Sequence, residues 1–401
     1  MSKTEQGGGL LSRRVKIGRA EAVAAIVGTI IGAGVFTLPY MAIHAGLGIA
    51  AIWLIIVSFL ILYLHLAFGE IVLRTKKEFR LPGYVGHYLG QPAKKFVLIT
   101  TFLTFAFSLL LYLLLGAQFL KVIVQTIWPH LNSPQGILVL FMWFFLSLVI
   151  LGKSRGIARV NFLLSLLLLI LFVVIIAFAF PHFQIANINL FHFSGSWGWL
   201  IPYGIIFYSL NGLVAIPEAA KILEKHEGQR RSLKKVVIIG SLIPVIFYFF
   251  FVVAVMGASG AATTLEAIQG LQGILGPVVV LLGAGLGFLA VATSYLIFAS
   301  YIKNSFVHDF QWSSSIASFL VVIGPLLLYF LQMKDILALI SFLGGMLGGL
   351  EGIMLILVFK QAKQRSELQP AYSLPLGKHW SYWLIAFLLI GALCQTFLII
   401  K

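Results

Sequence analysis

The sequence predicts an all-α polytopic membrane protein: a 5+5 inverted repeat with helices 1 and 6 discontinuous, plus an eleventh helix. Three observations carry that prediction. The first is composition. Of 401 residues, 60% are hydrophobic and 10% charged, against about 25% charged in a soluble globular domain. Mean hydropathy is +1.04. The second is the spacing of charge. Apolar stretches run over roughly 20–43, 46–70, 96–127, 135–151, 158–181, 198–220, 233–257, 274–302, 313–331, 335–359 and 379–400, each near or above the ~17–25 residues that a helix needs to cross the hydrocarbon core. When the loops are numbered alternately, 25 of the 28 Lys and Arg fall on one side and only Lys121, Lys334 and Lys401 on the other. The third is a repeated break. Gly34 and Gly212 each precede a proline, Pro39 and Pro217, by five residues inside an apolar stretch, and the two copies lie 178 residues apart.

In order along the chain, residues 1–18 are a polar, Gly-rich, basic tail. Loops rich in Lys and Arg stay inside, so this tail is cytoplasmic. Residues 19–182 hold the first five helices, 183–197 form an outer loop, and 198–360 hold the second five. Because five is odd, the second set starts on the opposite side and is inverted relative to the first. Residues 361–378 form a cytoplasmic loop, and 379–401 form helix 11 with an extracytoplasmic C-terminus. Loop 71–95 contains Leu81-Pro82-Gly83-Tyr84-Val85-Gly86-His87-Tyr88, which reads as a short surface or re-entrant helix. The first apolar stretch is too long for a signal-peptide core and lacks a small-residue cleavage site. The net charge of +16 is therefore topology, with some contact to anionic lipid heads, and nucleic acid is not an expected partner. The single cysteine, Cys394, has no internal disulfide partner.

Glycine and proline inside a helix cost roughly 1 and 3 kcal/mol relative to alanine, and in lipid the freed backbone groups have no solvent. Paired breaks in two inverted halves are the signature of a secondary transporter site. The start of a half-helix offers free N–H groups and a positive dipole end that suit a carboxylate. The end of a half-helix offers carbonyls that suit an ammonium. A zwitterionic amino acid carries both charges. Its carboxylate is expected at the amides of Gly32, Ala33 and Gly34, and its ammonium at the carbonyls of Tyr208, Ser209 and Asn211, with Tyr208 capping the ligand. Phe105, Ser108 and Tyr112 share one face of helix 3 and are expected to line the cavity. The competing reading of Gly28-xxx-Gly32 is small-residue helix packing.

Gly28-Thr29-Ile30-Ile31-Gly32-Ala33-Gly34 with Leu38-Pro39 resembles the first helix of permeases in the amino acid–polyamine–cation superfamily. It is most similar to the aromatic amino acid permeases, then to the broader amino acid/auxin permeases. The stretches Phe207 to Glu218, Leu233 to Pro244 and Ala292-Thr293-Ser294-Tyr295-Leu296 resemble the same group. The likeness spans helices 1 to 8 and is weak in helices 9 to 11. It implies a leucine-transporter-like fold. It also implies a Na+ site from the hydroxyls of Thr293 and Ser294 and the carbonyls of Gly28, Ile31 and Ala290, hard oxygen ligands for a hard cation. The competing reading is that Thr and Ser simply back-bond to their own helix. Proton-coupled relatives place a lysine from helix 5 there, and the interior of this helix 5 has no charge.

Ionisable residues within the bilayer are costly and default to functional candidates. Glu351 in helix 10 is the first proton-coupling candidate, with Glu70 and Glu218 behind it as acids expected to pair with Arg74 and Lys221. His65 is expected to pack and His44 to sit at the surface. No Walker motif, His-x-x-Glu-His or Cys/His cluster is present, so no enzyme and no cofactor beyond a coupling ion is expected. The expected function is symport of a neutral amino acid, hydrophobic or aromatic, with Na+ or H+, in the cell membrane and without an obligate protein partner. The alternatives are another small solute on the same fold (an amine, a nucleobase or a metal ion) or a non-transporting amino acid sensor.

Overall fold

The computed structural model describes residues 3–131, 133–151, 157–191, 198–227, 230–308, 312–375 and 377–400. Helix is the regular structure throughout these residues, and each of the expected apolar stretches contains one. The first stretch is α1 (Lys3–Ile30), a 3₁₀ turn (Ala33–Thr37) and α2 (Leu38–Ala45). Next come α3 (Leu47–Arg74), the short α4 (Leu81–Leu89), α5 (Gln91–Ile127), α6 (Gln135–Leu151) and α7 (Ile157–Ala179). The sixth stretch is α8 (Ile201–Leu210) and α9 (Ala215–Glu227). It is followed by α10 (Leu233–Ser259), α11 (Gln272–His308) and α12 (Ser314–Phe330). The tenth stretch is α13 (Ile336–Ser341), a π-helical turn (Phe342–Gly348) and α14 (Gly349–Gln364), and the last is α15 (Lys378–Ile400).

Two features differ from the sequence reading. The basic segment 3–18 continues α1 as helix instead of forming an irregular tail. The tenth stretch is interrupted by the π turn, where α8 crosses it so closely that a Cβ on Gly344 would overlap the Gly204 carbonyl. The extra residue of a π turn lets this contact form without ending the helix.

Both breaks fall where the glycines and prolines place them. α1 stops at Ile30, Gly32 is extended (φ −134°, ψ −155°), and the chain bends by 48° into the 3₁₀ turn and α2. Pro39 sits in the first turn of α2, where no backbone N–H is required. α8 ends at Leu210, Asn211 is extended, and Pro217 lies in the first turn of α9. The broken helices lie side by side and antiparallel: a Cβ on Gly34 would meet the Ser209 hydroxyl at 2.5 Å, and one on Gly212 would meet Ile30 at 2.6 Å.

At the end away from the basic loops, short turns cover the helix ends. The Leu47 and Gly48 amides donate to the Asn189 and Leu190 carbonyls at 2.7 and 2.8 Å, and the Gln184 amide donates to Gly257 at 2.9 Å. At the basic end the connection after α14 straps over α3. Glu70 is fully buried and pairs with Arg74 at 2.7 Å. Its carboxylate also accepts from the Leu374 amide at 2.6 Å and the Ser373 hydroxyl at 3.2 Å. The Tyr372 hydroxyl donates to the Leu66 carbonyl at 2.6 Å, and Glu367 accepts from the Lys76 amide at 2.8 Å and faces His87 at 3.0 Å.

Candidate functional site

The backbone at the first break is open. Among the backbone–backbone hydrogen bonds outside the helices of the described residues, none is donated by Gly32, Ala33 or Gly34, and the Gly32 amide faces the Tyr248 hydroxyl. A Cβ on Gly32 would meet nothing within 4 Å, so space lies beside Gly32, whereas Gly34 is closed off by Ser209. The 33–37 turn is steadied from within: the Thr37 hydroxyl donates to the Gly34 carbonyl at 2.9 Å, and the Val35 amide to the Gly32 carbonyl at 3.4 Å.

The second break is more heavily bonded than expected. The Tyr208 carbonyl accepts from the Asn211 amide at 3.3 Å, and the Ser209 carbonyl accepts from the Tyr248 hydroxyl at 3.1 Å. Asn211 turns its own side chain onto the break, where Oδ1 accepts from the Leu213 amide at 3.2 Å. An ammonium at the Tyr208 and Ser209 carbonyls would therefore use their second lone pairs.

Two side chains from neighbouring helices complete the junction, and neither role was anticipated. Tyr248 of α10 is buried, and its hydroxyl reaches the Ile30 carbonyl at 2.8 Å and the Ser209 carbonyl at 3.1 Å, one on each broken helix. His65 of α3 is fully buried. Its Nε2 accepts from the Gly212 amide at 3.1 Å, and Nδ1 lies 2.9 Å from the Ser241 hydroxyl. A ring nitrogen that accepts an N–H carries no proton, so this geometry defines the neutral tautomer with its proton on Nδ1. His65 thus caps the break rather than merely packing.

At the second break, Tyr208 joins an aromatic group from α5 and α11. The Tyr208 hydroxyl donates to that of Tyr112 at 3.4 Å, and Ser108 beside them is fully buried. Phe105 meets Phe298 and Tyr301 of α11 with ring centroids 4.9 and 4.6 Å apart, and Tyr112 meets Phe298 at 5.5 Å. The three α5 residues named from sequence are thus gathered with Tyr208. Phe298 and Tyr301 were missed because nothing in an apolar helix marks which aromatic turns inward.

Of the resemblance-derived cation ligands, Thr293 and Ala290 meet within α11 itself. The Thr293 hydroxyl bonds back to the Leu289 and Ala290 carbonyls, each at 3.0 Å, and Ser294 next to it is half-buried. The 33–37 turn packs on α11, while Gly28 and Ile31 occupy the last residues before the break, where the Ile31 amide donates to Val27 at 2.8 Å. The three acids part company. Glu70 is committed to Arg74 and the strap. Glu218 is exposed and faces Lys221 at 3.4 Å. Glu351, half-buried in the first turn of α14, makes no ion pair or hydrogen bond among the described residues. His44 bonds to the Tyr40 carbonyl at 2.8 Å and leans on the Tyr40 ring. Among the described residues, no cluster of three His, Cys, Asp or Glu could hold a metal.

Antiparallel broken helices within a multi-pass helical bundle define a leucine-transporter-like membrane fold. The chain superposes on the crystal structure of MhsT in complex with L-phenylalanine with a TM-score of 0.61 at 15% identity, covering 94% of this chain and 96% of that one. The chain belongs to the tryptophan/tyrosine permease family, whose model matches residues 18–395. It is also 24% identical over 233 residues to glutamine transporter 2 of Aliivibrio fischeri (strain ATCC 700601 / ES114), covering 57% of this chain and 58% of that protein. The match thus spans less than two thirds of that curated relative's length.

Proposed function

We propose that this protein is a secondary active transporter that imports a neutral amino acid with a hydrophobic or aromatic side chain, coupled to Na+ or H+. The observation that carries the reading is the pair of antiparallel breaks, in which the Gly32–Gly34 amides donate no backbone–backbone bond and Tyr208 of the second break is grouped with Tyr112 and Phe105. Carboxylate at the first break and ammonium at the second would hold the zwitterion, while the aromatic group takes an apolar side chain. The family assignment and the phenylalanine bound in MhsT support an amino acid of this class.

In this reading residues 19–182 and 198–360 are the two inverted repeats. The basic loops are cytoplasmic, and alternating access is a rocking of the broken helices against α5, α6, α11 and α12. The exposure of Thr29, Val214 (67%) and Glu218 beside the breaks supports a path toward the basic end, opposite the end covered by residues 184–190. Na+ coupling would use the adjacent Thr293 and Ser294 hydroxyls of α11, although Thr293 back-bonds within its own helix, and the unpartnered Glu351 supports H+ coupling.

The test is uptake of labelled neutral amino acids into proteoliposomes under an imposed Na+ or proton gradient. Concentrative uptake of tryptophan, tyrosine or phenylalanine is expected under one of them. Loss of gradient dependence in Thr293→Ala assigns Na+, and its loss in Glu351→Gln assigns H+. Binding without flux under either gradient would favour a sensor and sink the transporter reading.

A further inference from the structure

A cavity lies away from the breaks, at the basic end. It encloses about 320 Å³ between the start of α10, α1 and the strap that follows α14. Its walls carry four cations, Arg19, Arg231, Lys234 and Lys235, and no acid. Ser232 and Tyr372 supply further polar lining.

Three observations give the cavity a ligand chemistry. Arg231, Lys234 and Lys235 are exposed and form no ion pair among the described residues. The acids on the neighbouring elements are already engaged: Glu70 with Arg74, Glu224 with Arg230, and Glu21 with His226. Ser232 is 6% exposed, lines the cavity, and its hydroxyl makes no hydrogen bond among the described residues. It stands at the N-terminus of α10, a helix of 27 residues whose dipole adds positive potential at that end. Three cations without an ion pair among the described residues, Arg19 beside them, a helix start and a hydroxyl on the cavity wall are complementary to a phosphate group.

The source of the phosphate follows from what lies along α10. Lys235 shares a helical face with Ile239, Leu242, Ile243, Ile246 and Phe250, and all five are exposed apolar side chains. An exposed apolar stripe on a membrane helix is a lipid contact. A cationic pocket at its polar end is the arrangement that holds an anionic headgroup above its own acyl chains.

We propose that this cavity binds the phosphodiester headgroup of an anionic phospholipid, with the acyl chains along the Ile239–Phe250 face of α10. The site is independent of the substrate reading, and its test does not use transport.

Purified full-length protein is titrated with phosphatidylglycerol in mixed micelles, with phosphatidylcholine as the neutral lipid. Inorganic phosphate and glycerol 1-phosphate serve as soluble probes. Melting temperature and the number of lipids retained in native mass spectrometry are read together. Phosphatidylglycerol is expected to raise the melting temperature saturably and to be retained. The triple variant Arg231→Gln, Lys234→Gln, Lys235→Gln should need on the order of a hundredfold more lipid, given the worth of each cation near an anionic surface. A control of equal charge, Lys76→Gln, Lys95→Gln, Lys225→Gln, should follow wild type. If the triple variant does not fold, Lys235→Gln alone should lose a retained lipid. An equal loss in the control, or no loss in the pocket variants, overturns the site. A full stabilisation by glycerol 1-phosphate overturns the lipid as its ligand.

Discussion

Replacing Tyr248 by phenylalanine isolates a single oxygen at the centre of the molecule. The ring is 1% exposed and phenylalanine fills the same volume, so no cavity is created. What is lost is the donor shared by the Ile30 and Ser209 carbonyls at 2.8 and 3.1 Å. Removing a donor from a buried acceptor costs about 1–3 kcal/mol. Here the cost falls on the spacing between the two half-sites, because the hydroxyl is bonded to both. If substrate binding needs that spacing, apparent affinity should fall by roughly 5- to 150-fold, with a much smaller change in maximal rate. The assay is initial uptake against amino acid concentration in proteoliposomes, with ligand-induced thermal stabilisation as an independent measure of binding. A KM within twofold of wild type, with unaltered stabilisation by ligand, would refute the argument that Tyr248 sets the distance between the breaks.

Two further perturbations bear on other links. Gly34→Ala drives a methyl into the Ser209 side chain, and overpacking of this kind costs about 1–3 kcal/mol; uptake should fall sharply and recover in part when Ser209→Gly is added, whereas wild-type uptake in the single variant would contradict the close approach. Glu266 lies in the outer connection between α10 and α11, where burial raises its pKa above the ordinary 4.5, against the lowering effects of the Thr264 hydroxyl, nearby backbone amides and Lys121. A carboxyl with a raised folded-state pKa favours folding fully below its unfolded pKa and loses that contribution as pH rises through the folded value. Glu266→Gln should therefore raise thermal stability at neutral pH and flatten its dependence above pH 4.5; an unchanged stability–pH curve would show that the carboxyl carries no such penalty.

The helices and both breaks were legible because their causes are local. Lipid demands long apolar stretches, and Gly34, Pro39, Gly212 and Pro217 interrupt helix whatever surrounds them. The π turn at Phe342–Gly348 was not legible, since it answers a tertiary contact between Gly344 and Gly204 that no spacing reveals. Tyr248 was hidden in the run Phe247-Tyr248-Phe249-Phe250-Phe251, where only the fold shows which ring meets the backbone of two other helices. His65 was visible as a buried polar residue, but its partner, the Gly212 amide, lies 147 positions away. The strap after α14 was hidden for the same reason: Glu70 and Arg74 form an ordinary i,i+4 pair in sequence, and Leu374 completes it only in space.

That strap constrains how the molecule can move. Glu70 is satisfied only while Arg74, Ser373 and Leu374 stay with it, and separating one partner from a buried ion pair costs on the order of 3–5 kcal/mol. The basic end of α3 therefore travels with the 366–375 segment and, through it, with the ends of α14 and α15. Any swing of the broken helices must shear against a unit reaching from α3 to the last helix. His65, on that same unit, is the point where the swing is felt first.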